Sequence, residues 1–286
     1  MKRRDFIKAI AAGIILSGVD SIPLVSAEEL LPRSQPLSQA SFDTYIKDYL
    51  HKMQNFDQPH HDDIFVEKEL LPVLRSCVKR LKRLEETVGH GNFYLLSFDD
   101  ALANARNYSD IGEFTKQELD FLERVFYTDS SAYGFIGDKP IDKMTFCIDQ
   151  NDTVKIPDTG NYLYRGEAEK LYEKIKKNVG DKVYLTSGIR GVVKQFLLYL
   201  DKADNNHGNL SLASRSLAPP GYSYHGIADF DVGQIGYGIL NFTGRFTTTE
   251  VFKKLETLDY VSLRYTDGNL KGVRFEPWHI KVYPKG

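Results

Sequence analysis

The spacing of apolar residues along the first half of the chain predicts helices. Apolar side chains recur every three or four residues over residues 42–53 and 64–88, with lysines and arginines between them. This spacing places the apolar residues on one face of an α-helix. A further helix is expected after Thr115, because Thr115 and Glu118 form a capping-box pattern ahead of an apolar run that ends at Phe126.

The pattern changes from Glu167 onward, where helical spacing alternates with short apolar runs. We expect helices at residues 167–179, 191–200 and 251–258. We expect strands at residues 183–187, 230–232, 273–275 and 280–282. Helices that alternate with short strands and glycine-containing loops predict an α+β fold with a small antiparallel sheet and flanking helices. A mainly helical N-terminal region, residues 28–164, precedes this part.

The N-terminus has the layout of a secretory signal peptide. Arg3 and Arg4 precede an apolar run over residues 9–16, and the small residues at 25–27 suit cleavage. The arginine pair favours the twin-arginine route. A membrane anchor is the alternative, but the run is shorter than the about 20 residues that span a bilayer, and Asp20 interrupts its far end. We therefore expect residues 1–27 to be removed, with no membrane span afterwards, and the protein to be periplasmic or cell-wall associated.

Charge and cysteine content narrow the function classes. The formal net charge is −2, and loss of residues 1–27 would remove four basic and two acidic residues, which leaves −4. Binding of nucleic acid is not expected, because it requires a basic face. Cys77 and Cys147 are the only cysteines. They are compatible with a disulfide or with two buried thiols, but neither lies at metal-ligand spacing from another cysteine.

A cluster of polar residues near the C-terminus has the composition of a metal site. It contains two histidines, His225 and His279, together with Asp231 and Glu276. Catalytic zinc takes three protein ligands and keeps one open position, and a nearby carboxylate can accept a proton from water. The spacing Glu-x-x-His alone is weak evidence, because a strand with Trp278 packed in the core would contain the same residues. His225 strengthens the prediction, since a proline- and glycine-rich loop precedes it and an acidic strand follows.

These segments resemble the signature of the VanY-type D-alanyl-D-alanine carboxypeptidases, which belong to the LAS metallopeptidases. The resemblance covers residues 165–286, the expected catalytic domain. The matching segments are Ser223-x-His225, Phe230-Asp-Val-Gly233, Glu276-Pro-Trp-His279, Thr186-Ser-Gly-Ile-Arg190 with Gln195, and Leu263-Arg-Tyr265.

The resemblance implies a role for each residue of the cluster. His225, Asp231 and His279 would hold zinc, and Glu276 would act as the general base. Arg190 would bind the substrate or the developing oxyanion, because a guanidinium suits both a carboxylate and an oxyanion. The remaining assignment is that Ser223 and Gln195 contact the substrate.

One departure from the family pattern leaves the third ligand open. The family has seven positions from the first histidine to the aspartate, whereas His225 and Asp231 are six apart and an additional acid, Asp229, lies between them. The intervening turn must therefore be tighter than usual. Asp231 matches the family strand better, and Asp229 is the alternative ligand.

The sequence therefore predicts an exported zinc peptidase whose partners are peptidoglycan stem peptides. Removal of a terminal D-alanine is the first expectation. An endopeptidase with the same site and a zinc-containing binding module without catalysis are the alternatives. Glu276 and Arg190 favour an enzyme. The sequence does not determine the oligomeric state, and the N-terminal region is expected to be a helical scaffold against the catalytic domain.

Overall fold

The computed structural model describes the backbone of residues 39–283 and the side chains of residues 45–283. The predicted signal peptide, residues 1–27, lies outside this range. None of the helices among the described residues is long and apolar enough to cross a membrane. The chain divides after Thr44 into two units, of which the second is Tyr45–Gly286.

The N-terminal part of the described chain is helical, as its apolar spacing predicts. Its helices are α1 (Gln39–Gln54), α2 (Leu71–Val88), α3 (His90–Leu95), α4 (Phe98–Asn107) and α5 (Lys116–Tyr127). Helix α2 presents one apolar stripe to the core, which includes Leu74, Leu81 and Leu84.

Helix α2 begins later than its apolar spacing predicts. The expected helix over residues 64–88 starts at Leu71, after a short 3-10 turn at Lys68–Leu70. Pro72 explains the start, because proline lacks a backbone N–H and is best tolerated in the first helical turn. The predicted helix at residues 42–53 corresponds to α1.

The predicted capping box at the start of α5 is present. Thr115 accepts a hydrogen bond from the backbone N–H of Glu118, and the Glu118 carboxylate accepts one from the N–H of Thr115. The same carboxylate accepts hydrogen bonds from Arg80 at 3.1 and 3.2 Å and from Ser76 at 2.6 Å. One buried carboxylate therefore caps the N-terminus of α5 and also links α5 to α2.

The C-terminal part contains a small antiparallel sheet, which confirms the predicted α+β fold. The strands β1 (Thr153–Lys155) and β2 (Tyr162–Tyr164) form a separate hairpin. Strands β3 (Val183–Ser187), β4 (Phe230–Gln234) and β5 (His279–Ile280) form the main sheet in the order β3–β4–β5. The remaining helices are α6 (Glu167–Val179), α7 (Val192–Asn205), α8 (Leu210–Ser214) and α9 (Glu250–Leu255).

Several predicted boundaries in this part are wrong. Residues 273–275 are not a strand, and β5 has only two residues in place of the expected strand at 280–282. An isolated bridge between Leu263 and Ile280 adds a contact to β5 without a continuous ladder. Helix α7 extends to Asn205, beyond the expected end at 200, and α9 ends at Leu255.

Two hydrophobic cores share the C-terminal part of the chain. One core contains α6, the main sheet and α9, with Phe230 and Ile280 fully buried. The other contains the N-terminal helices together with Phe196 and Leu200 of α7. Helix α7 therefore packs on the N-terminal helices, and the unit that begins at Tyr45 continues through the sequence boundary at residues 164 and 165.

The two cysteines are both free. Cys77 is buried in α2 and Cys147 is exposed, so the structure contains neither the disulfide nor the pair of buried thiols that the sequence allows. Burial raises the pKa of Cys77 to about 12, and this thiol acts as a core side chain.

Candidate metal centre and active site

The antiparallel sheet brings His279 and Asp231 together. Asp231 is the second residue of β4 and is the register partner of His279 in β5. Directly opposed residues of an antiparallel pair have neighbouring side chains. His225 joins them from a 3-10 turn, Tyr224–Gly226, that precedes β4. All three side chains are buried, with 0 to 4 % of each residue exposed.

The distances among the three side chains fit a tetrahedral metal site. Asp231 Oδ1 lies 3.3 Å from His225 Nε2 and 3.5 Å from His279 Nδ1. Two ligands about 2.05 Å from one ion at the tetrahedral angle are separated by about 3.3 Å. One ligand atom from each of the three residues lies within 4.8 Å of the others.

The hydrogen bonds of the two imidazoles leave one nitrogen of each facing this cluster. His225 Nδ1 lies 2.8 Å from the carbonyl oxygen of Gly188, and His279 Nε2 lies 3.0 Å from Asp229 Oδ2. Among the described residues, His225 Nε2 and Asp231 Oδ1 have no hydrogen-bond partner although both are buried. Buried polar atoms normally have one. Their geometry is that of ligand atoms oriented by outer hydrogen bonds.

The additional acid, Asp229, lies on the far side of the His279 ring. Arg264 donates to both of its oxygens, at 2.7 and 2.9 Å, and the backbone N–H of Val282 donates to Oδ1 at 2.9 Å. Its Oδ2 is the oxygen near His279 Nε2. Because these contacts occupy both oxygens, Asp231 is the better placed of the two acids to bind a metal ion.

The short spacing between His225 and Asp231 is accommodated by a tight turn. The carbonyl oxygen of Tyr224 accepts hydrogen bonds from the N–H groups of three residues, Ile227, Ala228 and Asp229, at 3.0 to 3.1 Å. The chain therefore reverses within a few residues before β4 begins. This is the tighter turn that the missing residue requires.

Burial and neighbouring charges shift the pKa values of the cluster in different directions. Burial lowers the pKa of His225, and the nearby Arg190 adds to this. Burial alone would lower the pKa of His279, but the carboxylates of Asp229, Glu276 and Asp231 raise it to about 9. Burial would raise the pKa of Asp231, but the cations around it hold the value below its usual range. The site thus favours an ionised carboxylate beside the imidazoles.

Glu276 lies at the edge of the cluster and lines a cavity. Its Oε2 is 3.3 Å from His279 Nδ1, and its backbone N–H donates to the carbonyl oxygen of Tyr265 at 3.0 Å. Its other oxygen, Oε1, lies 3.9 Å from Nε of Arg274. The carboxylate therefore lies directly beside the cluster of His225, Asp231 and His279.

Arg190 reaches the cluster from the loop after β3. Its Nη2 lies 3.8 Å from Asp231 Oδ2, and its backbone N–H donates to the carbonyl oxygen of His225 at 3.1 Å. Its buried Nε has no partner among the residues that the structure describes. The guanidinium thus carries a donor that a ligand could use.

Arg190, Ser223, Gln195 and Glu276 line one cavity of about 320 Å³, together with Asp231 and His279. Gln195 donates from Nε2 to the carbonyl oxygen of Ala218 at 2.5 Å, so the orientation of its amide is fixed. Its Oε1 is buried and without a hydrogen-bond partner within the described part of the chain. The cavity therefore offers an acceptor as well as donors.

The sequence prediction missed several residues of this site. Arg264 holds Asp229, Gly188 holds His225 through its carbonyl oxygen, and Tyr94, Lys194 and Arg274 line the cavity. Arg264 was part of a matching segment, so that segment already contained a signal for it. Backbone carbonyls and residues from distant helices leave no such pattern, because only the fold brings them to the site.

Two histidines and a carboxylate at ligand spacing, with a separate glutamate at the adjoining cavity, define the class of mononuclear metallohydrolases. Residues 164–285 match the family model of VanY, the D-alanyl-D-alanine carboxypeptidases. This match confirms, for that part of the chain, the resemblance to the VanY-type carboxypeptidases and the enzyme class that the sequence predicts.

A solved structure of a vancomycin resistance D,D-pentapeptidase VanY mutant, from a VanB-type resistance cassette and in complex with Zn(II), is 21% identical in sequence. The match covers 52% of this chain and 88% of that chain, with a TM-score of 0.40. No curated protein matches the chain.

Proposed function

We propose that the protein is an exported, zinc-dependent D-alanyl-D-alanine carboxypeptidase that acts on peptidoglycan stem peptides. The observation that carries this proposal is the convergence of His225 Nε2, Asp231 Oδ1 and His279 Nδ1 at the spacing of metal ligands, within the VanY-type domain. The signal-peptide pattern of residues 1–27 supports export to the compartment that contains the cell wall.

His225, Asp231 and His279 are the proposed zinc ligands. Two imidazoles and one carboxylate suit zinc and leave one coordination position open. Zinc in such a site lowers the pKa of a water molecule and polarises a carbonyl oxygen. The outer ring nitrogens donate to the carbonyl oxygen of Gly188 and to the carboxylate of Asp229, and these hydrogen bonds fix the imidazole orientations.

Glu276 moves the proton in the proposed reaction. Its carboxylate accepts a proton as water adds to the scissile carbonyl carbon, and it then donates that proton to the leaving amine as the C–N bond breaks. Burial against His279 holds the carboxylate in place. This sequence of steps balances, because the water supplies one hydrogen to the amine and one oxygen to the new carboxylate.

Arg190 stabilises negative charge on the reacting carbonyl oxygen. Its guanidinium lies beside the proposed ligand Asp231 and has an unpaired buried donor. A preorganised donor at a developing oxyanion contributes substantially to catalysis. Ser223 and Gln195 bind the peptide backbone, and the Oε1 of Gln195 is available to accept a peptide N–H.

Replacement of Glu276 tests the proton-transfer role. The Glu276→Gln variant should keep its zinc and its fold but lose at least about 100-fold in the rate of hydrolysis, because general acid–base groups contribute about 100- to 10,000-fold. Zinc content is measured by elemental analysis and hydrolysis by the release of D-alanine. Full activity in this variant would exclude Glu276 as the base.

The matched comparison is His225→Ala, which should instead lose the metal. His225→Ala should lose both zinc and activity, whereas Glu276→Gln should lose activity alone, and this difference separates a metal ligand from a proton-transfer group. Unchanged zinc content in His225→Ala would contradict the ligand assignment.

A further inference from the structure

Arg274 is a cation of the active-site cavity to which the family signature gives no role. It lies two residues before Glu276 and lines the same cavity as Arg190 and the metal cluster. Its side chain is 17% exposed. Its buried Nε makes no hydrogen bond to any described residue, and the nearest carboxylate oxygen, Glu276 Oε1, is 3.9 Å away.

Two aromatic rings hold the guanidinium of Arg274. Its Cζ lies 4.4 Å from the ring centroid of Phe56 and 4.9 Å from that of Trp278. Such contacts favour the charged form and restrict its rotation. Arg215 fixes the backbone of both Arg274 and Phe56. Its carbonyl oxygen accepts a hydrogen bond from the backbone N–H of Arg274, and its Nε donates to the carbonyl oxygen of Phe56. The cation is therefore positioned before any ligand arrives.

A second cation, Lys202, lies near Arg274. Lys202 lies 5.9 Å from the same Phe56 ring and donates to Ser216, a residue of the cavity wall. No carboxylate of the described residues forms an ion pair with Lys202. Burial and the proximity of Arg274 lower the pKa of Lys202 to about 8. By contrast, Lys194, also at the cavity, is neutralised by Glu85 at 2.7 Å. Lys202 and Arg274 thus add positive charge on this side of the cavity, against the carboxylates of Glu276 and Asp57.

We propose that Arg274 binds the C-terminal carboxylate of the substrate peptide and so makes the enzyme a carboxypeptidase rather than an endopeptidase. This inference rests on the proposed function, in which Glu276 protonates the leaving amine. The leaving amine of a terminal D-alanine is two bonds from its carboxylate carbon, a separation of about 2.5 Å.

The position of Arg274 fits that distance. Glu276 must come within about 3 Å of the leaving nitrogen to donate its proton. The terminal carboxylate therefore falls close to Glu276, on the side where Nε of Arg274 lies 3.9 Å from Oε1. Arg190 lies instead beside the proposed ligand Asp231, which suits the oxyanion. The two arginines thus serve different anions of one substrate.

The test compares two peptides that differ only at the C-terminus, an N-acyl peptide that ends in D-alanyl-D-alanine and the same peptide as its carboxamide. The zinc-loaded wild type should prefer the free acid. Arg274→Met should lower kcat/KM for the acid by roughly 100-fold, mainly through KM, and leave the carboxamide unchanged, as expected for a lost charge-assisted hydrogen bond. Arg274→Lys should recover part of the loss, since it keeps the charge without the planar fork.

A binding measurement tests Arg274 independently of turnover. Trp278 is the only tryptophan of the chain and contacts Arg274, so its fluorescence reports ligands at this position. In the Glu276→Gln background, the free acid should bind more tightly than the carboxamide. Addition of Arg274→Met should remove that difference. Arg245→Met, at an exposed arginine, is the control and should have no effect.

The outcomes separate this inference from the proposed function. An equal loss of kcat on both peptides would assign Arg274 to the orientation of Glu276 and overturn the inference. A wild type that hydrolyses both peptides equally well would also overturn it and favour an endopeptidase. If the wild type cleaves neither peptide, the proposed function fails, and the fluorescence measurement still decides whether Arg274 binds the carboxylate.

Discussion

At the scale of residues, the site depends on how the two imidazoles are oriented. Each histidine uses one ring nitrogen for an outer hydrogen bond and turns the other toward Asp231. Asp229 is held by more hydrogen bonds than Asp231, because Arg264 and a backbone N–H fix its carboxylate beside His279. These contacts keep the pKa of Asp229 well below its usual range, although burial opposes them. Asp229 would therefore act on the proposed metal site through His279.

Replacement of Asp229 by asparagine should weaken metal binding without removing a ligand. Loss of the charge leaves His279 less basic and less firmly oriented, and the expected cost is about 10- to 100-fold in zinc affinity. Zinc affinity is measured by competition with a chelating dye. Asp267→Asn, at an exposed acid, is the control. An unchanged affinity in Asp229→Asn would show that the outer hydrogen bond has no influence on the metal.

At the scale of elements, local sequence signals predicted the regular helices well. The capping box at Thr115 and the charged helix Glu167–Val179 are both where the sequence places them. In each, the signals for the helix lie within the segment itself: a cap and periodic apolar residues. Strand β3 was equally predictable, because glycines bound a short apolar run.

Elements whose limits depend on tertiary contacts were predicted poorly. The expected strand at 273–275 is absent from the described structure, and the segment instead places Arg274 between the Phe56 and Trp278 rings. Strand β5 ends after two residues, although Lys281 continues to donate to the carbonyl oxygen of Ser262. A local sequence pattern does not predict such contacts, because the partners come from distant parts of the chain.

The candidate site follows the same division. The sequence predicted candidate residues that lie in recognisable segments, including His225, Asp231 and Glu276. It left the choice between Asp229 and Asp231 open, because only the register of β4 against β5 shows which acid meets the imidazoles. It also missed Tyr94 and Lys194, which reach the cavity from α3 and α7, respectively.

At the scale of the whole molecule, the N-terminal helices and loops support the active-site cavity. Asp63, in the loop after α1, pairs with Arg215 through two hydrogen bonds at 2.6 and 3.0 Å, and both side chains are almost fully buried. Arg215 in turn holds Phe56, which contacts Arg274. Part of the chain outside residues 164–285 therefore contributes to the position of Arg274 at the cavity.

The Asp63–Arg215 pair should make stability depend on pH. Although burial opposes it, Arg215 and other donors lower the pKa of Asp63 to about 2 from the ordinary 3.8. A carboxyl group whose pKa is lower in the folded state than in the unfolded state stabilises the fold at pH values above the unfolded-state pKa. That stabilisation is lost as the pH falls through the folded-state pKa. The contribution is about 2 kcal/mol at neutral pH.

Asp63→Asn should therefore unfold in urea with a free energy lower by about 2 to 4 kcal/mol at pH 7, since the buried arginine loses its partner. The difference from wild type should narrow between pH 4 and pH 2. Glu67→Gln removes a half-exposed pair with Arg124 and should change stability by less than about 1 kcal/mol. A pH-independent difference in Asp63→Asn would contradict the charge-based explanation.

The central claim is that this site hydrolyses the terminal D-alanine of stem peptides with the help of zinc. Mass analysis of a muropeptide that ends in D-alanyl-D-alanine, incubated with the mature protein, tests it directly. The product should be lighter by one alanine residue, should not form in the presence of a chelator, and should form again after zinc is added. An uncleaved muropeptide, a cut within the stem, or cleavage that persists with chelator would contradict the claim.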